Sequence, residues 1–125
     1  MTIRTRLSIV DDDESVRESL LDLLEHLGFA VQAFASADEF LQSPAISETD
    51  CLILDMMMPK MTGPELYDEL IRRKIFIPVV FASAHSAEQV IPMIRHLKHV
   101  ECLFKPYSDT DLRTAIDRAL AASMH

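Results

Sequence analysis

Short, mainly apolar runs that end in polar residues recur along the chain and predict buried parallel strands. Four such runs occupy residues 7–10, 51–54, 78–82 and 102–104, and residues 30–34 are predicted to form a further strand. Apolar runs of this length are typical of strands that are covered on both faces of a sheet. We therefore predict five strands.

The segments between these strands carry apolar residues at helical spacing and predict helices. Before Gly28, a residue type that commonly ends helices, the first segment has five of them: Val16, Leu20, Leu23, Leu24 and Leu27. Capping-box patterns predict the starts of the next three helices, at Ser36, Thr62 and Ser86. A last helix is predicted to begin at Ser108 or Asp109.

Three local features qualify this pattern. Residues 43–50 are polar and contain a proline, so they are predicted to form a loop. Pro92 falls within the helix after Ser86, and proline is tolerated only in a first turn, so that helix should be kinked or start late. In the helix after Thr62, the residues predicted to face the core are Leu66, Leu70 and Ile71.

Five strands that alternate with five helices predict an α/β fold. The expected architecture is flavodoxin-like, a doubly wound parallel (βα)5 sheet with strand order 2-1-3-4-5, because right-handed crossovers place helices on both faces. Residues 1–125 are expected to form a single domain, with no output domain in this chain. In such a sheet, the functional site forms beyond the carboxyl ends of the strands.

Composition and charge exclude several classes of protein. The formal net charge is −8, with 20 acidic and 12 basic residues, so direct contact with nucleic acid is not expected. No run approaches the ~20 apolar residues of a membrane span, and the first six residues lack the apolar core of a signal peptide. We therefore expect a cytoplasmic protein without membrane contact.

Cys51 and Cys102 lie in strand runs and are predicted to be buried, reduced thiols rather than zinc ligands.

Polar residues that end the strand runs should converge at one edge of the sheet. They are Asp11 and Asp12 after the first run, Asp55 after the third strand, Ser83 after the fourth and Lys105 after the fifth. Carboxylates crowded together repel one another unless a cation lies among them. The pattern therefore predicts a site for a divalent metal ion and phosphoryl chemistry.

Each of these side chains has a chemical role that suits such a site. The carboxylate of Asp55 can attack a phosphoryl group and form an acyl phosphate. Asp11 and Asp12 can hold Mg²⁺, which prefers oxygen ligands. Lys105 can contact a phosphate oxygen or pair with Asp55, and Ser83 can donate a hydrogen bond to the same oxygens.

Other metal and phosphate sites are excluded by spacing. Asp13, the third acid of its run, is expected to be a helix cap or a solvated loop residue. The segment of residues 11–14 lacks the glycine and ligand positions of a calcium loop. Gly28 and Gly63 stand too far apart to form a phosphate cradle. Residues 56–58 are three methionines, and a packed loop beside the core explains them better than a soft-metal site.

Four motifs in a fixed order carry a family resemblance: Val10-Asp11-Asp12-Asp13-Glu14, Leu54-Asp55-Met56-Met57-Met58-Pro59-Lys60-Met61-Thr62-Gly63, Phe81-Ala82-Ser83-Ala84 and Phe104-Lys105-Pro106. With these motifs, residues 6–121 resemble a response-regulator receiver domain of two-component signalling, of the FixJ type. The resemblance implies a signalling protein that catalyses only its own phosphorylation and slow hydrolysis, not an enzyme acting on other substrates.

The resemblance also implies site roles. Asp55 would accept a phosphoryl group from a sensor histidine kinase, in a reaction that requires Mg²⁺. The metal would be held by Asp12, Asp55 and the backbone carbonyl of Met57, with Asp11 acting through water. Ser83 would take the switch hydroxyl position and Lys105 the phosphate-sensing position, and the Lys105-Pro106 bond would be cis.

Two departures from the family pattern concern the output face, which the family forms from helix four, strand five and helix five. Cys102 stands where a switch Tyr or Phe is usual, and Lys98-His99 replaces a common small-Gly pair. This face is expected to contact an output protein or a second copy, with Phe104 either exposed there or covered as core. Cys102 keeps open a rival hypothesis, a receiver-shaped adaptor whose output is independent of phosphorylation. Whether the domain stands alone or belongs to a longer regulator is also open.

Overall fold

Five parallel strands form one sheet in the computed structural model of this protein, which describes residues 4–97 and 100–123. The elements are β1 (Arg6–Val10), α1 (Glu14–His26), β2 (Ala30–Phe34), α2 (Ala37–Leu41), a short 3-10 helix (Pro44–Ser47), β3 (Cys51–Asp55), α3 (Gly63–Arg72), β4 (Val79–Ser83), α4 (Ala87–Ile94), β5 (Val100–Phe104) and α5 (Asp109–Ser123). The strand order is β2-β1-β3-β4-β5, so the predicted flavodoxin-like fold is confirmed.

The two faces of the sheet carry separate core clusters, because successive side chains of a strand point to opposite sides. In β3, Cys51 and Ile53 join the cluster that packs under α1 and α5. Leu52 and Leu54 join the cluster that packs under α2, α3 and α4. All four of these side chains are at most 1% exposed, as expected for a central strand covered on both faces.

Most helix ends follow the signals in the sequence. Asp13 caps α1 by accepting a hydrogen bond from the backbone of the first turn, as predicted. Gly28, just beyond α1, has a φ of +100°, a backbone conformation that glycine adopts readily. Thr62 and Glu65 form the predicted capping box of α3, and Ser108 accepts from the backbone at the start of α5. Polar side chains thus replace the missing backbone partners of the helix termini.

Helix α4 and the segment before β3 differ from the predictions. Of the two alternatives, a kink or a late start, the late start is wrong, because the helix begins at Ala87 and Pro92 lies inside it two residues before its end. Pro92 is exposed, and so is Glu88, whose carbonyl it leaves without a helical partner. Water can therefore satisfy that carbonyl. The segment predicted as a loop contains the 3-10 helix, which Ser43 caps through its hydroxyl.

The burial predicted for Ile71 and for the two cysteines is confirmed only in part. Ile71 is 39% exposed rather than inward, because it lies about 100° around the helix from the buried Leu70. Cys51 is buried as predicted, but Cys102 is only half-buried, because β5 is an edge strand. The Lys98-His99 pair lies outside the described residues. Within the part of the chain that is described, no helix is long and apolar enough to cross a membrane.

Candidate functional site

The register of β1 and β3 brings the predicted acids together at the carboxyl edge of the sheet. Val10 pairs with Leu54, so the residues that follow them, Asp11 and Asp55, lie side by side. Asp11, Asp12 and Asp55 each offer a carboxylate oxygen, and these atoms all lie within 4.8 Å of one another. Asp11 is buried, Asp55 is half-buried and Asp12 is exposed, so the cluster opens to solvent on one side.

Crowding and burial make this cluster electrostatically unfavourable. The pKa of Asp55 is raised to about 7, first by burial, then by the negative charge of Asp11, and then by a hydrogen bond and the charge of Asp12. Burial also raises the pKa of Asp11, against the backbone N–H of Asp13 and the charge of Lys105, which lower it. A cation among these oxygens would relieve the repulsion, so the charge distribution favours metal binding.

Asp11 is held in place by two hydrogen bonds. Its Oδ1 accepts from the backbone N–H of Asp13 at 2.8 Å, which fixes the carboxylate beside Asp55. Its backbone oxygen accepts from the guanidinium Nη1 of Arg17, also at 2.8 Å. Arg17 was not among the site residues predicted from the sequence, although it follows Asp11 by only six residues and lies near the start of α1, close to the strand end. Arg17 therefore ties α1 to the acidic cluster.

Ser83 and Lys105 lie at the carboxyl ends of β4 and β5. Ser83 is fully buried, and its Oγ accepts a hydrogen bond from the backbone N–H of His85 at 2.9 Å, which leaves its own proton available to donate. The backbone N–H of Lys105 donates to the carbonyl of Ser83 at 3.0 Å, and the bond to Pro106 is cis, as predicted. Lys105 acts electrostatically on Asp11 and forms no ion pair with Asp55.

Gly63 has a structural role at the site that the sequence analysis did not identify. A Cβ at this position would lie 2.2 Å from the carbonyl oxygen of Asp55 and 3.1 Å from the ring of Phe81. The backbone N–H of Gly63 donates to the carbonyl of Met56 at 3.0 Å, so the loop after β3 folds back onto the strand end. Any other residue would push the loop away from Asp55.

The donor set suits a hard divalent cation. Mg²⁺ takes oxygen ligands and usually keeps several waters, so one or two carboxylates on an open site are enough to bind it. The clustered oxygens of Asp11, Asp12 and Asp55 have this character. Met57, whose backbone carbonyl is a predicted ligand, has a side chain that is 46% exposed. The site therefore fits the predicted metal.

Sequence comparisons agree with this geometry. A family model described as the response regulator receiver domain matches residues 7–117. Nodulation protein W of Bradyrhizobium diazoefficiens is 40% identical over 111 residues, which cover 86% of this chain and 48% of that protein. Transcriptional regulatory protein FixJ of Rhizobium meliloti is 37% identical over 111 residues, which cover 89% and 54%. The chain thus spans about half the length of these curated relatives.

Solved structures share the fold at similar identity. The crystal structure of FixJ-N is 34% identical with a TM-score of 0.85, and the match covers 96% of each chain. The response regulator StyR is 39% identical with a TM-score of 0.84, covering 98% of this chain and 62% of that one. The match to the family model spans most of the chain and includes all the acids of the site. This chain therefore belongs to the response-regulator receiver family of two-component systems and is a receiver of the FixJ type.

Proposed function

We propose that this receiver accepts a phosphoryl group from a sensor histidine kinase on Asp55, in a reaction that requires Mg²⁺. The observation that carries the proposal is the cluster of three carboxylates within 4.8 Å at the end of the central strands. Receiver domains are signalling modules that work with sensor kinases and output domains. The only chemistry that we propose for this chain is its own phosphorylation and the slow hydrolysis that reverses it.

In the proposed transfer, a carboxylate oxygen of Asp55 attacks the phosphorus of a phosphohistidine. The P–O bond forms as the P–N bond breaks, and the departing imidazole nitrogen keeps the electron pair. A Mg²⁺ ion held by Asp12, Asp55 and the Met57 carbonyl, with Asp11 acting through water, would neutralise charge on the transferred group. Asp55 must be ionised to attack, and a nearby cation favours that form.

Two further side chains would bind the transferred group. The hydroxyl proton of Ser83 is free to donate to a phosphoryl oxygen, since its Oγ already accepts from His85. Lys105, at the carboxyl end of β5 on the same edge of the sheet, carries a positive charge and would contact another oxygen. Both residues lie at the ends of strands next to α4 and α5, so their movement would reach the face formed by α4, β5 and α5.

That face is the proposed contact surface for an output protein or for a second copy. Phe104 and Cys102 are half-buried and pack against the cluster beneath α4, so Phe104 is partly covered rather than fully exposed. Phe104→Glu should weaken output binding or dimer formation while leaving Asp55 phosphorylation intact. Unchanged sedimentation and partner pull-down in a folded variant would contradict this part of the proposal.

The phosphoacceptor is tested by intact mass after treatment with phosphoramidate and Mg²⁺. Wild-type protein should gain one phosphoryl mass, and Asp55→Asn should gain none, because an amide cannot form the acyl phosphate. Asp13→Asn is the matched control, because Asp13 caps α1 and asparagine caps equally well. Labelling of Asp55→Asn at the wild-type rate would exclude Asp55 as the acceptor.

The metal ligands are tested by titration of each variant with Mg²⁺, read as the rise in unfolding temperature. Asp12→Ala should reduce the Mg²⁺-dependent rise more than Asp13→Ala, because only Asp12 shares the oxygen cluster. Equal reductions would show that the two acids are misassigned. The rival hypothesis of a phosphate-independent adaptor gains no support from the structure or from the relatives.

A further inference from the structure

Arg17, near the start of α1, lies shortly after a run of four acids and yet pairs with none of them. Within the described residues, its guanidinium forms no ion pair with the carboxylates of residues 11–14. Its Nη1 donates instead to the backbone carbonyl of Asp11 at 2.8 Å. A pair with a carboxylate would be the stronger bond. The observed bond leaves the carboxylate oxygens free for a cation, which indicates a role in geometry rather than in neutralising charge.

This hydrogen bond restrains one of the two peptide groups that flank Asp12. The carbonyl oxygen of Asp11 belongs to the peptide group that joins Asp11 to Asp12. A peptide group is planar, so a bond that holds its oxygen also restrains the nitrogen and Cα of Asp12. The other flanking peptide is held by the side chain of Asp11, whose Oδ1 accepts from the N–H of Asp13 at 2.8 Å. Asp12 therefore lies between two restrained peptide groups.

Asp12 is the member of the acidic cluster that depends most on such restraint. Asp11 is buried and Asp55 is half-buried, so packing limits the movement of both side chains, whereas Asp12 is exposed. Its carboxylate nevertheless offers an oxygen that lies within 4.8 Å of those of Asp11 and Asp55. A side chain that packing does not hold is placed mainly by its own backbone. The two flanking hydrogen bonds therefore direct the Asp12 carboxylate towards the cluster.

Arg17 is itself anchored, so it can hold the Asp11 carbonyl in place. Its backbone N–H donates to the carbonyl of Asp13 at 2.9 Å, and the side chain of Asp13 accepts from the N–H of Val16 at 3.2 Å. The residue is half-buried, and α1 packs its apolar face against the sheet. The planar guanidinium also loses little freedom when it forms a hydrogen bond. The restraint on Asp11 therefore comes from a fixed helix.

We propose that Arg17 is a positioning residue for Mg²⁺ binding and acts through the backbone of Asp12. This inference rests on the proposed metal site and adds to it a residue that orients a ligand. Residues that orient metal ligands commonly contribute about ten- to hundredfold to metal affinity. The charge of Arg17 works in the opposite direction, because a cation repels Mg²⁺. A variant that removes both the charge and the hydrogen bond therefore shows which effect dominates.

Urea unfolding of the purified chain over a range of Mg²⁺ concentrations separates an effect on the metal from an effect on the fold. Mg²⁺ that binds only the folded state stabilises it in proportion to ln(1 + [Mg²⁺]/Kd), so weaker binding displaces the curve to higher concentration. Loss of a purely structural bond lowers stability equally at every concentration. Arg17→Met keeps the aliphatic stem and removes the donor. It should need about tenfold more Mg²⁺ than wild type for the same gain in stability.

Three further variants make this expectation specific to the hydrogen bond and to Asp12. Arg17→Lys can still donate to the Asp11 carbonyl but lacks the planar fork, so its Mg²⁺ affinity should lie between those of wild type and Arg17→Met. Arg113→Met removes the same charge from an exposed position on α5 and should bind Mg²⁺ as wild type does. In a chain that carries Asp12→Ala, adding Arg17→Met should weaken the residual binding by less than about twofold, because the ligand it positions is gone.

The possible failures are distinguishable from one another. A wild-type protein that gains no stability from Mg²⁺ would remove the metal site and this role with it. A wild-type response that Arg17→Met leaves unchanged or strengthens would overturn the role of Arg17 alone and leave the metal site intact. A tenfold loss that persists in the Asp12→Ala chain would show that Arg17 does not act through Asp12. If Arg17→Met is too unstable to measure, wild-type affinity in Arg17→Lys would overturn the proposal.

Discussion

Removal of the charge on Asp55 should stabilise the metal-free protein at pH 8. The carboxyl group of Asp55 lies beside Asp11 and Asp12, and its pKa rises from an ordinary value of 3.8 to about 7. At pH 8 the group is ionised in both the folded and the unfolded chain. The folded state alone then carries the desolvation and repulsion that raise the pKa. Asp55→Asn keeps the shape of the side chain and removes this penalty.

The size of the effect follows from the change in pKa. A rise of about three pKa units corresponds to about 4 kcal/mol, since one unit is worth about 1.4 kcal/mol. The site opens to solvent, and water and salt screen its charges, so we reduce this figure to about 2 kcal/mol. For a domain of this size, that free energy raises the unfolding temperature by roughly 6 °C.

The effect should depend on pH in a definite direction. Because the folded-state pKa of Asp55 is raised, the folded chain binds this proton more tightly than the unfolded chain does. The favourable contribution is complete below pH 4 and is lost as the pH rises from about 4 to about 7. The stabilising effect of Asp55→Asn should therefore be smaller at pH 5 than at pH 8, where it reaches its full value.

Urea unfolding in EDTA at pH 5 and pH 8, followed by circular dichroism, measures the size of this stabilisation and its dependence on pH. Asp13→Asn is the control, because it removes one charge outside the oxygen cluster and keeps the cap of α1. Saturating Mg²⁺ should reduce the advantage of Asp55→Asn, since the cation stabilises the wild-type cluster. A raised pKa of Asp55 would be contradicted if Asp55→Asn is no more stable than wild type at pH 8, or if its advantage is the same at both pH values.

Three other predictions concern single positions. Gly63→Ala should lower the free energy of unfolding in urea by at least about 2 kcal/mol, because its methyl group would meet the Asp55 carbonyl. A Cβ at Gly28 would have no atom within 4 Å, so Gly28→Ala should lower it by only about 1 kcal/mol, through backbone strain. Equal losses would contradict the steric argument. Lys74→Gly should stabilise the protein by about 1 kcal/mol by relieving its positive φ, and a loss of stability would refute this. Burial raises the pKa of Cys102 to about 11, so iodoacetamide at pH 8 should alkylate it about 100-fold more slowly than a free peptide thiol. A rate close to that of the free thiol would contradict the burial of this side chain.

The strands and their order were predictable because burial on both faces leaves a strong signal in the sequence. Continuous apolar runs mark β1, β3 and β4, whose side chains are almost entirely inaccessible. The first and last residues of the strands were less predictable. Strand β5 begins at Val100, two residues before its predicted start at Cys102. Val100 and Glu101 pair with Val79 and Val80 through the backbone, which does not require apolar side chains. Backbone pairing of this kind leaves little trace in an apolar pattern.

The site followed from the same logic, because parallel strands bring their carboxyl ends to one edge. The sequence therefore predicts that Asp11 and Asp55 lie together, and the register of β1 and β3 confirms it. The contact of Gly63 with the Asp55 carbonyl could not be predicted, since it depends on the path of the whole loop. Sequence spacing predicts which residues meet, whereas close approaches between backbone atoms depend on three-dimensional packing.

Strand β5 shows where this kind of prediction ends. Cys102 and Phe104 pack on one face of the sheet and Leu103 on the other, as the alternation of side chains along a strand requires. The degree of burial was not predictable, because it depends on how α4 covers an edge strand. Phe104 is half-buried, between the exposed and the fully covered alternatives. A side chain in that position can gain or lose burial when α4 moves slightly, so we expect Phe104 to respond to the proposed phosphorylation even though Cys102 replaces the usual aromatic residue.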